Sequence, residues 1–163
     1  MAQNQAKKPK SLIIAEYFIK QSQKEHKVIT NKKLQKLLYY AQAWNLVFND
    51  KKMFDEPIEA WVHGPAVPIV YDTFKSFGFG EIAISVDEKE FELLADEEKT
   101  VLDDVWKAYG KFDGDYLELL THNELPWQEA RGGIDMNESS TNEISTVAMK
   151  EYYGRRLKEI AEK

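Results

Sequence analysis

The fold is decided by a stretch in the first third of the chain, TNKKLQKLLYYAQAWNLVF at residues 30–48. Its apolar residues recur at helical spacing and predict an α-helix whose N-cap is Thr30 or Asn31. The main apolar stripe contains Leu34, Leu37, Leu38, Ala41, Trp44 and Phe48. A second, roughly opposite face contains Tyr39, Ala43 and Val47. A helix that is apolar on two sides is expected to lie at the centre of its domain, packed against several neighbours.

The rest of the chain predicts further helices and a small sheet. Helical spacing or capping residues mark helix starts near Ser11, Pro68, Asp96, Asp113, Pro126 and Ser145. Alternating apolar residues in 57–62 and 82–86 predict two short strands that pair antiparallel. Residues 1–10 are expected to form a flexible basic tail, and 132–143 a surface loop. We therefore expect residues 11–163 to form a single compact, mainly α domain of about six helices with a small two-stranded antiparallel sheet.

Composition narrows the class of protein. The 163 residues fit one domain, and 43% hydrophobic residues suffice for a core. The chain has no Cys, which excludes disulfides, thiolate nucleophiles and Cys-ligated zinc. No run of apolar residues is long enough to span a bilayer or to act as a signal peptide. We expect a cytoplasmic protein with no membrane association.

Charge is unevenly distributed along the chain. The 22 basic and 28 acidic residues give a net charge of −6, which argues against a dedicated nucleic-acid binder. Residues 1–52 hold 11 basic and 3 acidic side chains, whereas residues 53–163 hold 11 basic and 25 acidic ones. We expect this asymmetry to appear as a basic and an acidic face on one core. Lys32, Lys33 and Lys36 leave a nucleic-acid interpretation open, because a basic helix can contact phosphates.

The search for catalytic chemistry is largely negative. The three histidines are His26, His63 and His122, and no pair has the spacing of a helical zinc site. The nucleophile elbow, the P-loop and the dinucleotide-binding fingerprint do not occur. We therefore expect no catalytic residues, no metal and no cofactor, with His122 as a structural residue. A catalytic domain that uses His63, His122 and nearby carboxylates stays open as an alternative.

Three dense segments carry a resemblance to a known family. They are TNKKLQKLLYYAQ at residues 30–42, EAWVHGPAVPIVY at 59–71 and LTHNELPWQEAR at 120–131. In this order, and over about residues 12–157, the chain resembles the Panacea domain family of SocA-type antitoxins and phage-associated GepA-like proteins. Ala66 departs from the pattern, because a larger aliphatic residue is expected there.

The resemblance implies a non-enzymatic antitoxin that neutralises a cognate protein toxin by binding it. One branch of the family acts as an adaptor that delivers its toxin to the ClpXP protease, so a ClpXP-type protease is a second possible partner. Aromatic residues and arginine most often anchor interfaces. The candidate toxin-binding residues in the recognised segments are Trp61, His63, Tyr71, His122, Trp127 and Arg131.

Other interpretations of the same residues stay open. The aromatic residues can equally belong to the core, in which case partner contacts would lie in the acidic stretch 87–98 or the loop 132–143. Carboxylates there would suit a basic toxin. In another class of function, the protein is a DNA-binding regulator of its own operon, or a prophage-encoded regulatory protein, that uses Lys32, Lys33 and Lys36. The chain leaves no residues for a separate helix-turn-helix.

Overall fold

A computed structural model describes residues 7–162, which form seven α-helices and a small sheet. The helices are α1 (Lys10–Lys24), α2 (Asn31–Asn49), α3 (Pro68–Phe74), α4 (Asp96–Tyr109), α5 (Gly114–His122), α6 (Leu125–Arg131) and α7 (Thr146–Ala161). The strands are β1 (Glu59–Trp61) and β2 (Gly64–Ala66), and short 3-10 helices span Lys75–Phe77 and Glu88–Leu93. The predicted fold class, a mainly helical domain with a two-stranded antiparallel sheet, is confirmed.

Helix α2 is the centre of the domain, as its two apolar faces predict. Thr30 caps it, because the Thr30 hydroxyl accepts a hydrogen bond from the Lys33 amide at 3.2 Å. Helices α1, α3, α4, α5 and α7 and strand β2 all contact it. Side chains from both of its faces, Leu38 and Tyr39 among them, are fully buried. Most of the other elements therefore pack directly against this one helix.

The sheet has a different second strand from the predicted one. Strand β1 pairs antiparallel with β2, so that Glu59 lies opposite Ala66. The prediction that residues 82–86 supply this strand is wrong. Glu81, the residue before this segment, makes an isolated bridge with Thr30, and Ile82 is buried in the core. The segment's alternating pattern arises because one side of an extended segment packs beside the start of α2.

The free edge of β1 is covered by the end of the loop 132–143. The Ala60 amide donates to the Asn142 carbonyl at 2.8 Å, and the Ile144 amide donates to the Ile58 carbonyl at 2.8 Å. Covering the edge removes a row of unpaired backbone groups. It also fixes the end of the loop beside the hairpin.

Oppositely charged residues are interleaved rather than separated into two faces. Ion pairs join N-terminal lysines to the acidic stretch: Lys8–Glu90 at 2.6 Å, Lys10–Glu98 at 2.5 Å, Lys24–Glu88 at 3.0 Å and Lys51–Glu97 at 2.8 Å. The expectation of a basic and an acidic face is therefore corrected.

Of the predicted tail, residues 1–6 lie outside the described residues, whereas Lys10 is the first residue of α1.

The half-buried carboxylate of Glu124 joins helix α7 to α2. The hydroxyls of Tyr40 and Tyr153 donate to Glu124 Oε1 at 2.6 and 3.0 Å, and the Tyr153 and Tyr39 hydroxyl oxygens lie within hydrogen-bond distance of each other at 3.0 Å. Burial raises the pKa of Glu124, an effect that these hydrogen bonds oppose.

Among the described residues, no helix combines the length and apolar character needed to cross a membrane.

Gly64 is expected to be irreplaceable in the hairpin. Its φ of +102° is unfavourable for any residue with a Cβ, and an added Cβ would lie 2.4 Å from Lys36 Cε. Gly64→Ala should therefore lower the free energy of unfolding by about 2 kcal/mol or more. Urea unfolding of the purified protein measures this change.

Gly154→Ala is the matched control. Gly154 lies within α7, where an added Cβ meets no atom within 4 Å. Since alanine favours helix more than glycine does, this variant should be stabilised by up to about 1 kcal/mol. Equal destabilisation of both variants would contradict the role assigned to Gly64.

Candidate protein-interaction site

Polar side chains of α2 hold the hairpin from one side. Gln35 Oε1 accepts from the Val67 amide at 2.8 Å, and its Nε2 donates to Asn31 Oδ1 at 2.9 Å. Asn31 Nδ2 in turn donates to the Tyr71 carbonyl at 3.1 Å. The first two recognised segments therefore meet through hydrogen bonds from the helix side chains to the backbone of residues 67 and 71.

Lys36 completes this contact from beneath the hairpin. Its Nζ donates to the Pro65 carbonyl at 3.1 Å, and only 2% of the residue is exposed. Burial lowers the pKa of Lys36 to about 7, while Glu118 acts to raise it and Lys32 to lower it. The absence of a side chain at Gly64 makes room for the buried amine.

The third recognised segment holds the hairpin from the other side. Trp127 Nε1 donates to the Trp61 carbonyl at 2.8 Å, and Arg131 Nη1 donates to the Ala60 carbonyl at 3.1 Å. Each of these two donor residues is 3% exposed. They fix the course of β1 from within the protein instead of presenting a surface to a partner.

Arg131 also holds the loop 132–143. Its Nη2 donates to the carbonyls of Asp135 at 2.7 Å and Glu138 at 2.6 Å, and its guanidinium lies 4.9 Å from the centre of the Trp127 ring. Because the planar guanidinium carries several donors in fixed directions, one side chain can join β1 to two points of the loop.

His122 lies behind the same strand. Its ring stacks on Trp127 with the centroids 4.0 Å apart, and its Nε2 is buried. Burial lowers the pKa of His122; Glu118 opposes this shift, and Lys36 adds to it. The half-buried imidazole packs on the indole, and the structural role of His122 stays a prediction.

The other three predicted residues surround an open cleft of about 380 Å³. Trp61 and Tyr71 meet edge to face, with centroids 5.0 Å apart and planes at 78°. His63 lies on the rim, with its Nδ1 3.1 Å from Glu118 Oε1. We call this surface the aromatic cleft; its walls include Trp61, His63, Tyr71, Phe79 and residues 139–141.

Phe79 is the cleft residue that sequence reasoning missed. It lies in the turn Gly78-Phe79-Gly80, and 98% of it is exposed. The sequence indicates a turn there but carries no periodic signal that assigns the side chain to a surface. A phenylalanine between two glycines was the one available hint, since a tight turn leaves its middle residue little to pack against.

The three lysines of the nucleic-acid interpretation do not form a free basic patch. Lys32 Nζ lies 2.9 Å from Asp115 Oδ1 and 3.0 Å from Glu118 Oε1. Lys33 Nζ donates to a backbone carbonyl at 2.6 Å, that of Gly110, and burial lowers its pKa. Since Lys36 is buried under the hairpin, phosphate binding by the three together is disfavoured.

Within residues 7–162, no cluster of three or more acidic or histidine side chains could hold a metal ion.

The fold and the cleft define a small helical domain in which aromatic side chains from β1, α3 and the turn 78–80 line one open surface. A family model described as "Antitoxin SocA-like, Panacea domain" matches residues 34–128. This match covers more than half of the chain, and the chain belongs to the SocA-like antitoxin Panacea domain family. Neither the curated proteins nor the solved structures include a significant match to it.

The buried Lys36 amine should make stability depend on pH. Between about pH 7 and its ordinary pKa of 10.5, the unfolded chain binds a proton that the folded protein lacks, so stability rises with pH. Lys36→Met removes this dependence. The difference in unfolding free energy, wild type minus Lys36→Met, should therefore rise by about 3 kcal/mol between pH 7 and pH 9.5. Urea unfolding at both pH values measures it, and a constant difference would contradict the buried amine.

Replacing Arg131 should loosen the loop without altering α2. In Arg131→Lys, one ammonium cannot reach the three carbonyls that the guanidinium joins. We expect amide exchange in residues 132–143 to accelerate at least about tenfold, while exchange in α2 changes little. Hydrogen exchange measured by mass spectrometry tests this. Unchanged exchange in the loop would show that other contacts hold it.

Proposed function

We propose that the protein acts in the cytoplasm as an antitoxin that neutralises a cognate protein toxin by direct binding, without catalysis. Membership of the SocA-like antitoxin family supports the antitoxin role. The observation that supports a binding site is the aromatic cleft. Trp61, Tyr71 and the almost fully exposed Phe79 line this concave surface.

Exposed aromatic residues in a cleft are the chemistry expected of an interface. Large aromatic side chains supply most of the binding energy at protein–protein contacts, and they do so best where the partner excludes water from them. Ile69, on the same α3 segment as Tyr71, adds further exposed apolar surface. Covering these side chains would release their hydration water and stabilise a complex.

The rigidity of the hairpin supports the same proposal. Its backbone is held by Gln35 and Lys36 from one side and by Trp127 and Arg131 from the other. A surface that is already in its binding conformation loses little conformational entropy on association. In this proposal Trp61, His63, Tyr71 and Phe79 contact the toxin. Trp127, Arg131 and His122 position the residues that make those contacts.

Delivery of the bound toxin to a ClpXP-type protease is a separable step. Binding at the cleft alone can cover the toxin, whereas delivery needs a second contact with the protease. Neutralisation measured in a host that lacks ClpXP distinguishes the two. Neutralisation that persists there assigns the effect to binding, and neutralisation that disappears assigns it to the adaptor role.

The competing classes have direct tests. A regulator of its own operon or of a prophage should bind its own promoter tightly at physiological salt. We expect no such binding, because two of the three candidate lysines are buried. A catalytic domain should lose neutralisation completely in the double variant His63→Asn, His122→Asn. In our proposal His63 is one of four toxin contacts, so neutralisation by this variant should weaken but persist.

Neutralisation should depend on Phe79. The experiment expresses the open reading frame adjacent to the gene, which should arrest growth, together with this protein, which should restore it. Phe79→Asp places a charge in the apolar cleft and should abolish the rescue. Because Phe79 is 98% exposed, the variant should fold normally, which circular dichroism checks.

Val147→Asp is the matched control for this experiment. Val147 is 65% exposed, does not line the cleft and lies in the first turn of α7, where a carboxylate is favourable. We expect full rescue from this variant. Full rescue by Phe79→Asp would remove the cleft from the proposal, and the absence of rescue by the wild-type protein would remove the antitoxin role.

A further inference from the structure

The most buried part of the aromatic cleft consists of three polar side chains of α2. Asn31, Gln35 and Lys36 line the cleft, and no more than 3% of any of them is exposed. We call these three residues the floor of the cleft. Lys32, from the same helix, also belongs to the lining, and among the described residues no aspartate or glutamate does. An occupant therefore meets amides and amines at the bottom of the cleft.

The floor has hydrogen-bond donors to spare, whereas its acceptors are engaged. Gln35 Oε1 accepts from the Val67 amide, and Asn31 Oδ1 accepts from Gln35 Nε2. Each amide nitrogen carries two N–H groups and donates one hydrogen bond, from Asn31 to the Tyr71 carbonyl and from Gln35 to Asn31. The ammonium form of Lys36 carries three, and within residues 7–162 it donates one. The floor therefore matches an occupant that offers acceptors.

Gly64 leaves the amine of Lys36 close to the cleft. Gly64 itself lines the cleft, and the position that a Cβ would take there lies 3.1 Å from Lys36 Nζ. Any larger residue would place its side chain against this amine. A charge with so little exposure to water interacts more strongly with an opposite charge than an exposed one does. An acceptor that carries a negative charge is therefore favoured over a neutral one.

Lys36 is also the cleft lysine that has no acidic partner. Lys32 Nζ lies 2.9 Å from Asp115 Oδ1 and 3.0 Å from Glu118 Oε1, and His63 Nδ1 lies 3.1 Å from the same Glu118 oxygen. Within residues 7–162, Lys36 forms no ion pair, and its Nζ donates to the Pro65 carbonyl. One negative charge from a partner complements this one unpaired amine.

The walls of the cleft are apolar. Trp61 and Tyr71 meet edge to face, and Phe79 is almost completely exposed. The indole N–H of Trp61 is engaged by Glu59 Oε1 at 2.8 Å, so Trp61 offers its ring rather than its donor. An occupant that reaches the floor must pass these rings. It therefore needs an apolar stem with a charged acceptor at its end.

We propose that the aromatic cleft receives a glutamate side chain of the partner protein. Its methylene groups pack against Trp61 and Phe79, and its carboxylate accepts hydrogen bonds from Lys36 and the other donors of the floor. This inference rests on the proposed function, because it names the chemistry that the same site recognises. A phosphate group suits the cleft less well, since its charge of nearly −2 exceeds the one unpaired amine.

The probe is the blocked peptide acetyl-Gly-Leu-Glu-Leu-Gly-amide, compared with the same peptide containing glutamine, which keeps the size of glutamate but is neutral. Each peptide is added at pH 6 to the ¹⁵N-labelled full-length protein, and the indole N–H signals are followed by NMR. We expect saturable shifts at Trp61 with the glutamate peptide, about fivefold weaker binding of the glutamine peptide, and weaker glutamate binding at high salt. Trp44 and Trp106 do not line the cleft and serve as internal references.

A third peptide, acetyl-Gly-Leu-Gln-Leu-Gly with a free terminal carboxylate, tests the other source of the same chemistry. We expect it to bind like the blocked glutamine peptide. If it binds as tightly as the glutamate peptide, the cleft recognises the end of a chain, and the assignment to a glutamate side chain is overturned.

Lys36→Met and Lys33→Met form a matched pair of variants. Both lysines are buried in α2 and donate to one backbone carbonyl, that of Pro65 or Gly110, but only Lys36 lines the cleft. We expect the affinity for the glutamate peptide at pH 6 to fall about five- to tenfold in Lys36→Met and to stay unchanged in Lys33→Met. Circular dichroism checks that both fold. Equal loss in both variants would overturn the assignment to the floor.

The pH dependence of binding tests the same contact in the wild-type protein. Burial lowers the pKa of Lys36 to about 7, with Glu118 acting to raise it and Lys32 to lower it. Between pH 6 and pH 8 the glutamate of the peptide stays ionised while Lys36 loses its proton, so the affinity should fall about five- to tenfold. His63 and His122 are the histidines near this group. An equal fall in Lys36→Met would assign the effect to them and overturn the role of Lys36.

The outcomes separate this inference from the proposed function. Equal binding of the blocked glutamate and glutamine peptides, or binding of neither, overturns glutamate recognition. If Phe79→Asp nevertheless fails to rescue growth, the toxin occupies the cleft through other chemistry and the proposed function stands. If the glutamate peptide binds as expected while Phe79→Asp still rescues, the cleft binds carboxylates but the toxin binds elsewhere.

Discussion

The structure depends on hydrogen bonds from the central helix to the backbone of the β-hairpin and of the residue that follows it. Helix α2 is enclosed on nearly every side, so any polar side chain on it must find a partner within the protein. Gln35 and Lys36 find theirs at the Val67 amide and the Pro65 carbonyl. A hairpin of two three-residue strands, too small to be stable alone, is thereby held to the core. The aromatic cleft then forms on the outside of this hairpin.

The helices could be predicted from the sequence because their determinants are local. Thr30, Asp113 and Ser145 each cap the helix that follows them, as residue type and position indicate. The sheet could not be predicted in the same way. Strand β2 is only three residues long and contains Gly64 and Pro65, whereas residues 82–86 alternate like a strand. The pairing is decided by contacts with Lys36 and Arg131, which are distant along the chain.

The candidate site was predictable by region but not by role. Trp61, Tyr71, Trp127 and Arg131 are all residue types that anchor interfaces, yet the fold buries the last two and leaves Tyr71 exposed. Residue type alone cannot distinguish these outcomes, because a buried arginine that joins carbonyl groups has the same sequence signature as an exposed one. Phe79 shows the converse case. Its exposure is a property of the turn, and no periodic pattern in the sequence reveals it.

Different residues hold the hairpin in place and form the outer wall of the cleft, so the choice of partner can change without a change in the fold. Gln35, Lys36 and Trp127, which hold the hairpin and the residue after it, lie within the matched range 34–128. Arg131 and one wall of the cleft, residues 139–141, lie beyond it. That wall is joined to the hairpin through Arg131 and the backbone of Asn142. Within it, Ser140 is buried and its hydroxyl accepts a hydrogen bond from the Asn142 amide, whereas Ser139 and Thr141 are exposed. Substitutions at Ser139 and Thr141 can thus alter the surface that a partner meets while the central helix and hairpin stay unchanged. Because contacts with α2 hold the fold together, residues at the rim of the aromatic cleft can change, and with them the choice of partner.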